Sequence, residues 1–311
     1  MTNGILLIDK PVGMRSSECV GRIKRVLGRG ERVGHAGTLD STASGLLVIL
    51  IGTATRLSDY VMRLPKVYEA AVRLGVATDT CDASGNVTSA FPVTEKTVGE
   101  RVFDEALLSF LGTISQVPPE ISALKIDGRA AHKIARAGKK PNLAARPVTI
   151  TSISRISHIV YEPETSQASV KISVKCGKGT YIRAIARDIG AILACGAHTE
   201  QLRRLSVGTF DVSSSRAPAQ IEDKAACLEN IVSPKEAGRL FQKIFLTRDA
   251  ETRLSNGLTV PMSEAGRLYP GSLDLSSGLY VEGERLFGFA KVLRDENNGC
   301  LILKPETNLF E

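Results

Sequence analysis

The alternation of apolar and polar residues along the chain predicts a fold dominated by strands. Residues 46–51 read Leu-Leu-Val-Ile-Leu-Ile, an aliphatic run of the length and composition of a strand buried on both faces. Residues 66–75 and 170–175 alternate between apolar and polar side chains, as strands with one buried face do. Tyr68 falls on the apolar face of the first of these, so we expect it to face the core, where its hydroxyl needs a partner.

Apolar residues spaced three or four positions apart predict three helices in the first 200 residues. One follows the serine pair at residues 16–17, and a second begins at a capping box formed by Thr97 and Glu100. The third follows the Gly-Lys-Gly turn at residues 177–179 and has Thr180 as its expected cap. Beyond about residue 244 the pattern changes to short strands and turns, which predicts a small β-rich domain.

The third helix contains an unusual cation. Arg183 falls in its first turn, where a positive charge opposes the helix dipole at a cost of a few tenths to about 1 kcal/mol if exposed. Either Arg183 points into solvent, or a fixed anion holds it. We expect the anion to be a carboxylate, and Asp40 is the candidate.

Asp40 lies in a glycine-rich segment, residues 34–45, which reads GHAGTLDSTASG and leads directly into the buried strand. Its three glycines permit positive φ, so the loop can bend sharply at the mouth of the strand. Such a bend would hold His35 and Asp40 out of the core, where they could meet a substrate. Taken alone, the segment favours a surface turn with a solvated aspartate.

Charge is distributed unevenly along the chain. The net charge is +7, yet residues 245–311 carry seven Lys/Arg and ten Asp/Glu, whereas residues 1–244 carry 33 and 23. Residues 125–146 hold seven Lys/Arg and one acid, and we name residues 120–146 the basic excursion. A solvated insertion would explain this charge, but its one sign favours contact with a polyanion.

Composition and motifs exclude several classes of protein. The six cysteines form no C-x-x-C pair, which argues against a zinc site or a disulfide scaffold and favours a reducing compartment. The longest aliphatic run is six residues, too short to cross a bilayer, so we expect a soluble, cytoplasmic protein. The chain lacks the P-loop, the G-x-S-x-G elbow and the zinc-deaminase signature. What remains fits metal-free chemistry on a polyanion, with Asp40 as nucleophile or base.

Six stretches, in order and spacing, resemble the TruB family of tRNA pseudouridine synthases and extend from the N-terminus to about residue 210. They are GILLIDKPVGMRSS, VGHAGTLDSTASGLL, KVYEAAVRLG followed by TDTCDASG, PPEISALKIDGRAAHKIARAG, KGTYIRAIARDIG and GAHTEQLRRLSVG. Chance could supply one such stretch, but not six in sequence.

The resemblance implies an α+β fold. Its catalytic domain, residues 1–240, has a mixed, largely antiparallel sheet with helices on its face. A small PUA-like β-barrel follows in residues 241–311. The implied reaction converts uridine to pseudouridine at position 55 in the T-loop of tRNA. Because that reaction has no net redox change, no cofactor or metal is required. We expect a monomer that needs no protein partner and contacts the T-stem-loop.

The resemblance also assigns residues. Asp40 matches the catalytic aspartate, and Tyr68 and Arg183 match the family's active-site tyrosine and arginine. His35 matches the histidine thought to help turn the base out of the loop. The remaining expected substrate contacts lie in the matched motifs and in the basic excursion: Gly37, Thr38, Leu39, Lys178, Tyr181, Lys125, Arg129, Lys133 and Arg136.

The chain departs from the family pattern at three places without losing a chemical group: Ser41 stands where proline is common, Ser44 where threonine is common, and Arg15 where serine or threonine is usual. Two other functions remain open. One is an RNA-binding or RNA-folding module that has lost catalysis, and the other is a guide-dependent synthase that acts with partner proteins.

Overall fold

The computed structural model describes residues 2–122, 124–126, 129–130, 134, 141–238, 241–269, 279–295 and 299–310. Its α-helices lie at Ser16–Leu27, Ser58–Arg63, Glu100–Leu108, Ile182–Ile192, Lys224–Glu229, Pro234–Ala237, Arg248–Ser255 and Met262–Ala265, with 3-10 turns at Gly52–Leu57, Val212–Ser214 and Pro218–Gln220. No helix in these ranges is both long enough and apolar enough to cross a membrane.

A large, mostly antiparallel sheet organises the first 232 residues. Eight of its strands form a continuous path, in the order Ile231–Val232, Gly4–Lys10, Ala43–Ile51, Ala197–Val207, Lys66–Leu74, Gln167–Cys176, Arg146–Arg155 and Gly112–Gln116. Three short strands pair beside this path: Val33–His35, Val160–Glu162 and Phe210–Asp211. The pairing of Ala43–Ile51 with Ala197–Val207 is parallel, and it brings the glycine-rich segment beside the strand that follows the Ile182–Ile192 helix.

The strand Ala43–Ile51 is buried on both faces, as its aliphatic run predicts. Leu46, Val48 and Leu50 pack into one core, whereas the alternating residues Leu47 and Ile49 pack into another on the opposite side of the sheet. Each such side chain contributes about 1.5–3 kcal/mol when fully buried. The buried strand therefore fixes the end of the glycine-rich segment that leads into it.

A third core forms where the strand Lys66–Leu74 meets two helices. Its apolar face, which includes Tyr68, packs with residues of Glu100–Leu108 and Ile182–Ile192. The alternating face carries the exposed Glu69. The period of two in the sequence thus predicted the orientation of this strand correctly, and the helices lie on the face that it predicted.

Two helix starts differ from the expected caps. The second helix begins at Glu100 with Gly99 as its N-cap, because the Thr97 hydroxyl instead accepts a hydrogen bond from the Thr94 amide at 2.8 Å. The third helix begins at Ile182, and the Thr180 hydroxyl instead donates a hydrogen bond to the Gly177 carbonyl at 3.2 Å. Local side-chain bonds outcompete capping at both places.

The C-terminal part forms a second, six-stranded sheet, in the order Val260–Pro261, Leu301–Phe310, Leu286–Arg294, Leu279–Glu282, Lys243–Leu246 and Gly266–Tyr269. The α+β class predicted from the sequence is confirmed, and this curled sheet fits the expected PUA-like domain. Phe289 from this sheet stacks on Tyr60 of the Ser58–Arg63 helix, with ring centroids 3.6 Å apart. Both rings belong to the core that contains Leu46 and Val48 of the first sheet, so the two sheets share an apolar core. We retain residues 1–240 and 241–311 as the proposed division into domains.

Candidate active site

The glycine-rich segment is held on both sides of Asp40. Ser16, at the start of the first helix, accepts from the Leu39 amide and donates to the Leu39 carbonyl, both at 2.9 Å. The buried ammonium of Lys10 donates to the carbonyl of Ala43. Gly45 then takes φ +106°, and a Cβ there would lie 2.2 Å from the Arg204 carbonyl oxygen on the neighbouring strand. Only glycine allows the two strands to approach so closely.

Arg183 and Asp40 form a hydrogen-bonded ion pair. The Arg183 Nε donates to Oδ2 of Asp40 at 2.8 Å. The guanidinium is 4% exposed, while the Asp40 side chain is 39% exposed, so the carboxylate keeps an open side. Arg183 also donates to the carbonyls of Thr80 at 2.7 Å and Ile121 at 3.0 Å. These acceptors offset the unfavourable place of this cation in the helix dipole.

A second carboxylate, Asp82, faces the same guanidinium. Its Oδ2 lies 3.5 Å from a terminal nitrogen of Arg183 and accepts from the Thr42 hydroxyl at 3.2 Å. Burial acts to raise the pKa of Asp82, but hydrogen bonds from Ser84 and Thr80, together with the charge of Arg183, outweigh it and lower that pKa. Asp82 was not singled out from the sequence. Its place in the stretch TDTCDASG was the available signal.

A cavity of about 440 Å³ opens beside the ion pair. It collects most of the residues predicted from the motifs with several others, namely Gly37, Thr38, Leu39, Asp40, Met62, Lys66, Tyr68, Leu124, Arg146, Gly177, Lys178, Gly179, Thr180, Tyr181, Ile182, Arg183, Leu202 and Arg204. A space of this size is sufficient for a nucleoside-sized group. His35 is not among its lining residues.

Arg204 lies at the back of this cavity and was missed from the sequence. Its buried guanidinium donates to the carbonyls of Leu46 at 2.7 Å and Gly37 at 3.2 Å, so it supports the loop from behind. Burial raises the pKa of the Tyr68 hydroxyl, with Arg204 opposing that effect. Tyr68 therefore faces the cavity as a neutral phenol at physiological pH.

Lys66 is a second cation that sequence reasoning passed over. Its ammonium donates to the carbonyls of Met62 and Leu64, the latter at 2.6 Å. Burial, reinforced by the nearby charge of Arg204, lowers the pKa of Lys66 to about 8. The Lys66 ammonium, which lines the cavity, therefore titrates at about pH 8.

The outer wall of the cavity is also basic. The Arg146 guanidinium lies over the Tyr181 ring, 5.1 Å from its centroid, and donates to the Gly179 carbonyl at 3.3 Å. Lys178 is exposed on the adjoining turn. An anionic group that enters the cavity would therefore pass between cations before it reaches Asp40.

The other predicted contacts lie elsewhere. His35 ends the short strand Val33–His35; burial, aided by Arg204, lowers the pKa of its imidazole, and its Nδ1 has no hydrogen-bond partner within the described ranges. Lys125 and Arg129 belong to a two-stranded ribbon, Lys125–Ile126 with Arg129–Ala130. Lys133 and Arg136 lie outside the described residues.

Solved structures share this fold. A chain of the Cbf5–Nop10–Gar1 complex superposes with a TM-score of 0.70 over 98% of this chain and 84% of its own, at 23% sequence identity. A chain of an H/ACA RNP bound to a substrate RNA containing 2'-deoxyuridine gives a TM-score of 0.70 over 99% and 85%, at 20% identity. At these identities the likeness defines the fold, which is that of the TruB/Cbf5-like pseudouridine synthases.

Sequence comparisons identify the family. The profile described as "TruB family pseudouridylate synthase (N terminal domain)" matches residues 24–182, and the "tRNA pseudouridylate synthase B C-terminal domain" matches residues 183–240. A "tRNA pseudouridine synthase B" from Corynebacterium jeikeium is 44% identical over 230 residues, 74% of each chain. Its namesake from Mycobacterium tuberculosis is 38% identical over 308 residues, 98% of this chain and 97% of the relative. The chain belongs to the TruB family of pseudouridylate synthases.

Proposed function

We propose that this protein is a tRNA pseudouridine synthase that isomerises the T-loop uridine at position 55. The observation that supports it best is the Asp40–Arg183 ion pair, which presents one open carboxylate to a cavity of about 440 Å³ in a chain of the TruB family. Curated relatives that match nearly the whole chain bear the name tRNA pseudouridine synthase B. The position within tRNA comes from the resemblance of the sequence motifs.

The chemistry needs an ionised carboxylate beside the sugar and base. The N1–C1′ bond breaks, the uracil turns, and C1′ rejoins through C5; the C5 proton is lost and N1 gains one, so the product is an isomer. Asp40 is suited to act as nucleophile or base on this path, because Arg183 stabilises its charge. No electron acceptor takes part, and we propose that the protein needs neither cofactor nor metal.

The other residues would bind and orient the flipped nucleotide. A uracil in the cavity would face the ring of Tyr68, which can stack on the base or take part in proton removal. Lys178 and Arg146 would meet the phosphates at the entrance. His35 would fill the space that the base leaves, and four of the basic residues of the excursion, Lys125, Arg129, Lys133 and Arg136, would contact the stem. Leaving the stack costs a few kcal/mol, which these contacts must supply.

A direct assay tests the proposal. Purified protein is incubated with a T-stem-loop RNA, without metal, guide RNA or any other protein, and the RNA is analysed for pseudouridine. We expect product at the T-loop uridine and none in a matched RNA with cytidine at that position. RNA binding without product would instead support the non-catalytic module. Product only after addition of guide RNA or partner proteins would support the guide-dependent synthase. We also propose that the protein is cytoplasmic and that its active form is a monomer. Light scattering during turnover would check the monomer.

A further inference from the structure

The segment that leads into the basic excursion is tied to the Ile182–Ile192 helix at three points. Gln116, which is buried, exchanges two hydrogen bonds with the backbone of Tyr181, at 2.9 Å to its amide and 3.1 Å to its carbonyl. Arg183 donates to the carbonyl of Ile121 at 3.0 Å. Arg187 donates to the carbonyl of Val117 at 2.9 Å. We name residues 116–121, whose last two residues begin the basic excursion, the entry segment.

The two arginines act from one helix face. Arg183 and Arg187 are four residues apart, so their side chains project from neighbouring turns in the same direction. They bond to carbonyls on either side of the buried Pro118 and Pro119. Proline offers no backbone donor for a ladder bond, so such a segment relies on acceptor contacts like these to fix its position.

Arg187 also lies between the two ends of the basic excursion. A cavity of about 480 Å³ at its base is lined by Arg187, by residues just before and at the start of the excursion and by residues near its end: Val117, Pro118, Glu120, Pro141, Asn142 and Leu143. The guanidinium is held there by the neighbouring carboxylate of Asp188, at 2.7 Å. Its side chain is 31% exposed, which makes it accessible to substitution without opening a core.

We propose that Arg187 is a positioning residue that, with Arg183, locks the entry segment and thereby sets the place of the Arg183 guanidinium beside Asp40. The link is the Ile121 carbonyl, because it and the Asp40 carboxylate both accept hydrogen bonds from the Arg183 guanidinium. A movement of the entry segment therefore shifts an acceptor of Arg183. This inference rests on the proposed function.

The consequence is a separation of binding from chemistry. Affinity for RNA depends on phosphate contacts that Arg187→Ala leaves in place. A guanidinium displaced from its productive position costs rate, because misplacement by about 1 Å can reduce a rate by about 100-fold. We expect Arg187→Ala to lower the single-turnover rate constant at saturating protein by about tenfold or more, with the Kd for T-stem-loop RNA within about threefold of wild type. Arg187→Lys, which keeps one donor and the charge, should recover part of the rate.

Two measurements test the proposal. Amide hydrogen exchange of the entry segment, measured without RNA, should be faster in Arg187→Ala than in wild type and in the control Arg101→Ala, an exposed arginine paired with Glu105 on another helix. Unchanged exchange overturns the proposal, as does an unchanged rate constant or a loss confined to Kd. If wild-type protein makes no pseudouridine, the proposed function fails. The exchange measurement still decides whether Arg187 holds the entry segment in place.

Discussion

Arg183 donates its Nε hydrogen to Asp40 across 2.8 Å although the two residues lie 143 positions apart in the chain. The contact exists because the parallel pairing of Ala43–Ile51 with Ala197–Val207 brings the glycine-rich segment beside the strand that follows the arginine's helix. The pair holds one carboxylate against a guanidinium and leaves it accessible on its other side. Every feature of the proposed reaction depends on that combination.

Asp82 should matter almost as much as the ion pair, because it is a second anion against the same guanidinium. Asp82→Asn should reduce the single-turnover rate by about 10- to 100-fold, equivalent to about 1.4–2.7 kcal/mol. Asp59→Asn, an exposed aspartate on the Ser58–Arg63 helix, is the matched control. Equal rates for Asp82→Asn and wild type would show that Arg183 needs no second carboxylate.

The same substitution should change the acid dependence of stability. The pKa of Asp82 is lowered in the folded protein, so the folded state binds its proton less readily than the unfolded chain does. Its contribution is therefore present above the unfolded pKa of about 3.9 and is lost as pH falls through the folded pKa. Urea unfolding of wild type and Asp82→Asn should show curves that converge below about pH 4. A constant difference at all pH values would contradict this.

The lowered pKa of Lys66 predicts a rise of stability with pH in the alkaline range, the same sign of slope as for Asp82 but in a different pH window. Its pKa is about 8 in the folded protein and about 10.4 in an unfolded chain, so the unfolded state binds more protons between these values. Stability should rise with pH across that window in wild type relative to Lys66→Met, by up to about 3 kcal/mol. The exposed Lys175→Met should retain the wild-type dependence. Parallel curves for wild type and Lys66→Met from pH 7 to 10.5 would refute the account of Lys66.

The close approach of Gly45, at the end of the glycine-rich segment, to the backbone of Arg204 predicts an effect on stability. Gly45→Ala places a Cβ at positive φ and against the backbone of Arg204, so unfolding free energy should fall by at least about 2 kcal/mol. Gly21→Ala is the control, because that helical glycine has open space around its Cβ position and should gain about 0.5–1 kcal/mol. Thermal or urea unfolding of both variants measures the difference. Equal effects would be inconsistent with the described approach.

The basic excursion predicts a steep dependence of RNA affinity on salt. Each phosphate contact contributes about 0.7–0.9 to the slope of log K against log salt concentration. Replacement of Lys125, Arg129, Lys133 and Arg136 by alanine should flatten that slope, whereas Arg248→Ala in the acidic C-terminal part should not. A salt titration of T-stem-loop binding measures both. An unaltered slope in the fourfold variant would place the RNA elsewhere.

Local patterns predicted the elements well, because a strand's burial follows from its own residues. The aliphatic run at 46–51 and the alternation around Tyr68 both had the predicted orientation. The pairing of Arg183 with an anion followed from a local conflict, a cation in a first helical turn. Thr97 failed as a cap because its hydroxyl had a nearer partner in Thr94.

The rest of the site depends on contacts that no local pattern encodes. Arg204 looks like an ordinary polar residue in a strand, yet it is buried because the carbonyls of Gly37 and Leu46, more than 150 positions away, accept its hydrogens. Asp82 looks like part of a polar turn until Arg183 arrives from a distant helix. Such residues acquire their roles only after the sheet forms.

We propose that the Asp40 carboxylate reacts directly in the isomerisation of a uridine in the T-loop. The most direct measurement is release of tritium from T-stem-loop RNA labelled at C5 of that uridine, since rejoining through C5 expels this hydrogen. We predict release by wild type and by Asp59→Asn, and none above background by Asp40→Asn, which should still bind the RNA within about threefold of wild type. Release by Asp40→Asn at the wild-type rate would contradict the account.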